Sequence, residues 1–367
     1  MNKMMTNKSR LTRAALATAV VLSLAACGGG GGGGGGSPTG TPTPTVPTTP
    51  APKVFAPAEL QPLLPSSYAA GSPKEFMFNQ LNAARMNCGF GALRHDTRLE
   101  KSAQNHAVWL ARNNYEMSHY QVAGTPGFSG VGLYNRMLFV GYNGFAEQNF
   151  SGSSLSSFLA TEGISSHEPG SAESYKSHIP GQLSTVYHAL GALGPYRDIG
   201  FGLSKREDYG FSSGSLAVHN LGSELASQKL AEGAISTYPC DGVTGLQTFH
   251  GNEIPNPLAP RDLNANPPGH PIMVMSRWGT KLTDMRFTMV KTSTGAVSMA
   301  AVRTLESDMS GLMNSSGVYA IPDQELQKNT AYGVKVTGKV DGVDFEKSFS
   351  FTTGTRDKAA ERAGRFE

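Results

Sequence analysis

Apolar residues recur at helical spacing in two stretches near the middle of the chain. In "SPKEFMFNQLNAARMNC", residues 72–88, Met77, Leu81, Ala84 and Cys88 fall on one face. Ser72 can cap this helix, Pro73 suits its first position, and Glu75 fits a capping box. The run Cys-Gly-Phe-Gly at 88–91 stops it. Asp96 can cap a second helix, with Leu99, Ala103, His106 or Ala107, and Leu110 as its apolar stripe. That pattern fades at Asn113-Asn114. Residues 120–180 are rich in Gly and Ser and show few elements. "DIGFGLS" (198–204) and "SLAVHNLG" (215–222) read as strands around a Gly-rich hairpin.

The pattern changes near Asn256. Prolines at 255, 257, 260, 267, 268 and 271 mark a linker and a first strand. Alternating runs follow. Met285, Phe287 and Met289 share one face, as do Tyr332, Val334 and Val336, and then Phe349 and Phe351 across an Asp341-Gly342 turn. Several strands without a helical pattern predict an all-β sandwich. The charged tail, 355–367, is expected to fray.

The N-terminus has a different character. Lys3, Lys8, Arg10 and Arg13 precede "AALATAVVLSLAA", a run of 13 small or apolar residues. A bilayer span needs about 20, so the run reads as the core of a secretory signal. Its end, "LAAC" at Leu24–Cys27, resembles the lipobox of bacterial lipoproteins, which implies a lipid on Cys27 as membrane anchor. The next residue is Gly28 rather than the Asp that marks inner-membrane retention in such lipoproteins. The resemblance therefore implies the outer membrane, with the protein facing periplasm or exterior. Nine glycines, Gly28–Gly36, and a Pro/Thr-rich stretch to Lys53 form a tether. The second part favours extended polyproline II and reaches roughly 50 Å.

Charge narrows the classes of partner. The chain carries 31 Lys+Arg against 28 Asp+Glu, a net +3. Without the four cationic residues of the signal, 27 face 28 and the net is −1. Such a chain has no electrostatic footprint for nucleic acid. Of three cysteines, Cys27 is assigned to lipid, which leaves Cys88 and Cys240. In an oxidising compartment an even remainder invites one disulfide; the alternative is two separate thiols. Closing a loop of about 150 residues is worth about 4–5 kcal/mol in the chain-entropy model.

"LNAARMNCGFGALRHDTRLEKSAQNHAVWLARNNYEMSHY" is similar to the opening of bacterial CAP domains, also called SCP or PR-1-like domains. The likeness continues through "TPGFSG", "NRMLFVGY" and "FAEQNFSG", and resumes with "STVYHALGALGPYRDIGFGL". It covers roughly residues 70–245. It implies an α+β fold: a three-layer α-β-α CAP sandwich, followed here by the β-sandwich. "LQKNTAY", 326–332, resembles a segment of immunoglobulin-like, fibronectin type III-like domains. The expected organisation is signal 1–26, tether 27–69, CAP domain 70–245, linker 246–267, immunoglobulin-like sandwich 268–354 and tail 355–367.

In the CAP family the cavity is lined by two histidines and one or two glutamates. Matched by motif, His119 takes the first histidine's place and His188 the second. Glu147 takes a glutamate's place, although Gln148 intrudes in the motif. Glu173 is the nearest counterpart of a second glutamate. Imidazoles with a carboxylate are a ligand set for Zn²⁺ or another divalent cation. The spacings alone do not prove convergence, and no H-E-x-x-H motif is present. His106, on the apolar stripe, reads as a core histidine. Gly210-Phe211-Ser212-Ser213-Gly214 matches a nucleophile-elbow pattern but sits where a hairpin turn is expected.

Three functions compete. The first is a membrane-tethered binding module for a small apolar, glycan or metal-dependent ligand. The second is a metal-dependent hydrolase, protease or cell-wall hydrolase, with Glu147 as base. The third is a structural or adhesive cell-envelope protein touching peptidoglycan. Exposed aromatics such as Tyr120, Phe128 and Tyr142 would favour the first or third.

Overall fold

Two glycines set how the first half packs. A Cβ on Gly200 would lie 1.9 Å from the Glu100 nitrogen, and one on Gly202 would lie 2.3 Å from the Ala103 carbonyl carbon. Only bare backbone lets the helix lie this close to the strand. That helix is α2 (Thr97–Arg112) and the strand is β3 (Asp198–Lys205). The computed structural model describes residues 55–115, 117–143, 160–167, 174–212, 214–224, 227–292 and 295–362. Cys27 and the tether up to residue 54 lie outside the described residues.

The first helix, α1, spans Pro73–Asn87. The Ser72 hydroxyl accepts from Glu75 N at 3.2 Å, while the Glu75 carboxylate accepts from Gly71 N at 2.6 Å. The capping box thus closes one residue earlier than expected. Asp96 caps α2 by accepting from the Arg98 and Leu99 amides. The helix ends at Asn113, and Asn114 takes a left-handed conformation with φ of 54°. Further short helices are α3 (Leu133–Phe139), α4 (His178–Leu183) and α5 (Tyr187–Ala192).

The central sheet runs β1-β3-β4-β2, with β1 at Arg94–His95, β4 at Ser215–Gly222 and β2 at Ala160–His167. β1 pairs parallel with β3; the other neighbours are antiparallel. Alternation splits the sheet's side chains between two layers. Ile164, Leu216 and Val218 pack with Ala103, Ala107 and Trp109 of α2. Ile199, Phe201, Ala217 and Leu221 face the opposite way, toward α1, α4 and α5. The arrangement is α-β-α, as the motif pattern implied. The hydroxyl of Tyr68 accepts from Phe201 N at 2.9 Å, just past the end of β1. Arg85, fully buried on α1, donates to the carbonyls of Phe90, Gly91, Ala192 and Gly194. Burial pushes its guanidinium down to about 9, and these four carbonyls tie α1 to the end of α5.

The rest of the chain forms two sheets. In one, β5 (Ser236–Tyr238), β7 (Ile272–Met275), β10 (Met299–Arg303) and β11 (Gly317–Pro322) run in the order β10-β11-β7-β5, all antiparallel. The other has the order β6-β13-β12-β8-β9. Its strands are β6 (Val243–Leu246), β8 (Leu282–Lys291), β9 (Gly295–Ala296), β12 (Ala331–Val340) and β13 (Val343–Thr353). The predicted faces hold, with Met289, Tyr332, Val334, Val336, Phe349 and Phe351 all buried. Asp341 and Gly342 both have positive φ and close the β12–β13 hairpin. Strands β5 and β6 come from 236–246, so both sheets begin ahead of the proline-rich stretch.

One apolar core runs from Met77 and Leu81 through Tyr238 to Val336 and Phe351. Cys88 and Cys240 are joined by a disulfide that links α1's end to the β5–β6 turn, across a separation of 152 residues. The tail does not fray at its start. Lys358 opens a short helix, α6 (Lys358–Arg362), and is buried over the Phe249 ring. Its alkyl stem covers apolar surface while its ammonium pairs with Glu361.

Gly202→Ala should cost about 3 kcal/mol or more, because backbone rather than a side chain must move. Denaturant midpoints against wild type measure this, and an unchanged midpoint would show that the helix can shift freely. Replacing both Cys88 and Cys240 by Ala should cost about 4–5 kcal/mol by loop entropy, read in the same assay without reductant.

Candidate functional site

A buried carboxylate organises the region around His119. Glu162 lies on β2 opposite Asn220 of β4, on the face that α2 covers. Arg136 of α3, wholly buried, places one nitrogen 2.6 Å and 2.7 Å from the two Glu162 oxygens. The same guanidinium donates to the His119 carbonyl at 3.0 Å. The Nδ1 of His119 lies 3.0 Å from Glu162 Oε2. With its amide oriented to satisfy both ends, Asn220 donates to Glu162 Oε1 at 3.0 Å. Burial alone would raise the Glu162 carboxyl, but attraction to His106 once that ring takes a proton, to Arg136, and the His119 contact outweigh it. The group is held down at about 2.

His106 forms the floor. Its Nε2 donates to the Ser118 carbonyl at 2.8 Å and its Nδ1 accepts from the Gln121 amide at 3.1 Å. Burial pushes this ring down to about 4, so it stays neutral at physiological pH. It is a satisfied core histidine, as its place on the apolar stripe suggested. His119 is different. Its side chain is 45% exposed, so it is the member of this group that meets solvent.

His188 lies on α5. Its Nδ1 is 2.9 Å from Oε1 of Glu253. Glu253 is fully buried and also accepts from the backbone amides of Val186, Tyr187 and His188. A carboxylate from the segment after β6 therefore caps a helix more than sixty residues earlier. Burial would raise Glu253, but hydrogen bonding and charge from His188, with His250 and the backbone, hold it below its ordinary value. Between these two groups lies His219 of β4, opposite Gly163. A Cβ on Gly163 would strike its ring at 2.1 Å. Burial pushes His219 down to about 3, and it senses the charges of His188, Glu162 and His119.

The structure thus joins His119 to Glu162 and His188 to Glu253. Glu147 and Glu173 lie outside the described residues. Glu162 carried no local motif that marked it. It follows a Gly/Ser-rich stretch of weak pattern, and only strand register brings it to His119. Glu253 lies in the proline-rich segment, where no residue pattern points back to α5. The described donors do not fit a divalent cation at Glu162. Both oxygens already face Arg136, whose fixed positive charge would repel a metal. Among the described residues, no group of three or more His, Cys, Asp or Glu converges as a metal site. Gly210–Ser212 and Gly214 lie between β3 and β4, so a strand rather than a helix follows this motif.

Tyr142 is buried and donates to Asp198 at 2.9 Å, so it does not count among the exposed aromatics. Tyr120 and Phe128 are exposed, at 68% and 37%. Among the described residues, no helix is long and apolar enough to cross a membrane.

Acid should unfold this protein in a defined window. In the unfolded chain, histidines bind protons below about 6.5; folded His106 and His219 resist until about 4 and about 3. Stability is therefore intact above about pH 6.5 and falls below it, by up to ~1.4 kcal/mol per pH unit for each such ring. Glu162 adds a loss between its ordinary value of 4.5 and about 2. Melting temperatures from pH 7.5 to 4 check this; a flat profile would contradict the neutral rings. Glu162→Gln at pH 7 should cost about 3–5 kcal/mol by leaving Arg136 buried without its countercharge.

Comparison with known proteins adds to this geometry. Residues 78–215 match the model of CAP, the cysteine-rich secretory protein family. No match is found among curated proteins. Among solved structures, an extracellular protein containing a SCP domain from Bacillus anthracis str. Ames is similar at 18% identity, with a TM-score of 0.30. The likeness covers 41% of this chain and 40% of that one, so this chain spans well under half of that relative. The family match, with the disulfide and the α-β-α layers, supports a CAP domain in the first half of this chain.

Proposed function

We propose that this protein is an extracytoplasmic binding module, held on a bacterial membrane by lipid on Cys27. Its site is the corner formed by His119 and Glu162, and its ligand is a glycan or a small apolar molecule. The observation that carries this reading is the exposed apolar rim on the His119 segment and on α3. Met117 is 58% exposed, Tyr120 68% and Phe139 64%. Exposed apolar side chains on segments that also carry a polar group favour a role in recognition. Aromatic rings of this kind stack on sugar faces as readily as on alkyl chains.

Glu162 itself is unsuited to serve as a general base, which fits a binding role for this corner. A general base needs a free oxygen and a value near the working pH. Glu162 has both oxygens occupied and is held far below that range. His119 can still donate or accept from its outer nitrogen toward a ligand. In the same proposal, the immunoglobulin-like β region acts as a platform beside the CAP domain, and outer-membrane placement follows from Gly28. A structural or adhesive role at peptidoglycan would use the same rim.

Two experiments test this. The full-length protein should co-sediment with insoluble peptidoglycan or displace a fluorescent fatty acid. Tyr120→Ser and His119→Ala should each weaken the interaction about tenfold, and Tyr120→Ser, whose ring is exposed, should leave the melting temperature unchanged. Absence of binding to both ligand classes by the wild-type protein would sink the reading. Cys27→Ser should move the protein from the membrane to the soluble fraction; tight membrane association of that variant would refute the anchor.

A further inference from the structure

The opposite face of the central sheet carries a second constellation. Ser165 of β2 pairs with Ala217, and Gly163 with His219, so Ser165, Gly163 and His219 share one face. Glu162 and Asn220 occupy the other. On the Ser165 face, the serine Oγ lies 2.6 Å from Nδ1 of His178, the first residue of α4. The Nε2 of His178 lies 2.8 Å from Nδ1 of His219. Ser165 is half-buried, whereas His178 and His219 are buried behind it.

The chain of hydrogen bonds has one direction that serves chemistry. If Nδ1 of His178 accepts from the serine hydroxyl, its Nε2 carries hydrogen and donates to His219 Nδ1. Burial keeps the His219 ring neutral, and with its single hydrogen on Nε2 its Nδ1 accepts there. The Phe201 ring packs edge-on to His178 and tilted against His219, which fixes both imidazoles. A hydroxyl within reach of a base, with that base oriented by a third group, is the pattern of an activated nucleophile.

We propose that Ser165, His178 and His219 form a serine nucleophile centre for acyl transfer from small activated esters, separate from the His119–Glu162 corner. Ser165 Oγ attacks the acyl carbon and its proton passes to His178. The ester C–O bond breaks, and His178 returns the proton to the departing alcohol. Water then hydrolyses the acyl-serine by the same route and restores the hydroxyl. His219 is a positioning residue that holds the base in one tautomer. The centre is independent of the ligand-binding reading, since it uses none of those residues.

The test uses the full-length protein and a fluorophosphonate probe. The serine oxygen displaces fluoride from phosphorus, and the proton leaves as HF. Peptide mapping should find the phosphonyl group on Ser165 in wild type and not in Ser165→Ala. His178→Gln should label at least ~100-fold more slowly, the usual share of a general base. His219→Asn keeps an acceptor near the Nδ1 position and should retain part of the rate; His219→Leu removes it and should lose the rate. Melting curves identify variants that do not fold. For those, Ser165→Cys in the otherwise native chain offers a second reading. Its thiol should react with iodoacetamide at pH 7 at least ten times faster than free cysteine, because an adjacent imidazole favours the thiolate. Wild-type protein that carries no label on Ser165, equal labelling in a folded His178→Gln, or an unreactive Cys at 165 would each overturn the proposal.

Discussion

The close approach of α2 to β3 is the constraint on which the first half depends. It exists because Gly200 and Gly202 remove the two side chains that would otherwise stand between helix and strand. With the helix axis fixed there, its end at Asn113-Asn114 delivers the chain to the sheet margin, where His119 meets Glu162. A side chain at either glycine would lift α2 and carry His106 and its floor contacts away from the carboxylate.

Glu162 then acts as a local anchor. Arg136, His119 and Asn220 all satisfy it, and they come from α3, a loop and β4. A buried pair of this kind gives little net stability against an apolar alternative, but breaking one partner is costly. Its contribution is to hold three segments in one arrangement. Glu253 does comparable work on the other side, joining the segment after β6 to the start of α5. Together with the Cys88–Cys240 disulfide and the shared apolar core, it fastens the β-rich part of the chain to the first half. The face that carries His178 and His219 is thereby held by α4, α5 and this fastening at once.

The sequence determined the elements with strong local signals. Ser72 and Asp96 marked helix starts because a short polar side chain must satisfy amides left unpaired there. Alternation marked β8, β12 and β13 because one face meets the core and the other meets water. The Asp341-Gly342 turn needed two positive φ values, which that pair tolerates. His106 was legible as a core residue from its place on the α2 stripe, and Cys88 with Cys240 from parity. Tertiary structure alone decided the rest. Glu162 reaches His119 through strand register, Glu253 reaches His188 across more than sixty residues, and Ser165 reaches His178 across a sheet face. No local propensity encodes such meetings, because each depends on where other segments pack. The burial of Lys358 and Tyr142 belongs with them. Lys358 is hidden by the Phe249 ring and Tyr142 by Asp198 and Gly222, neighbours that only the folded chain supplies.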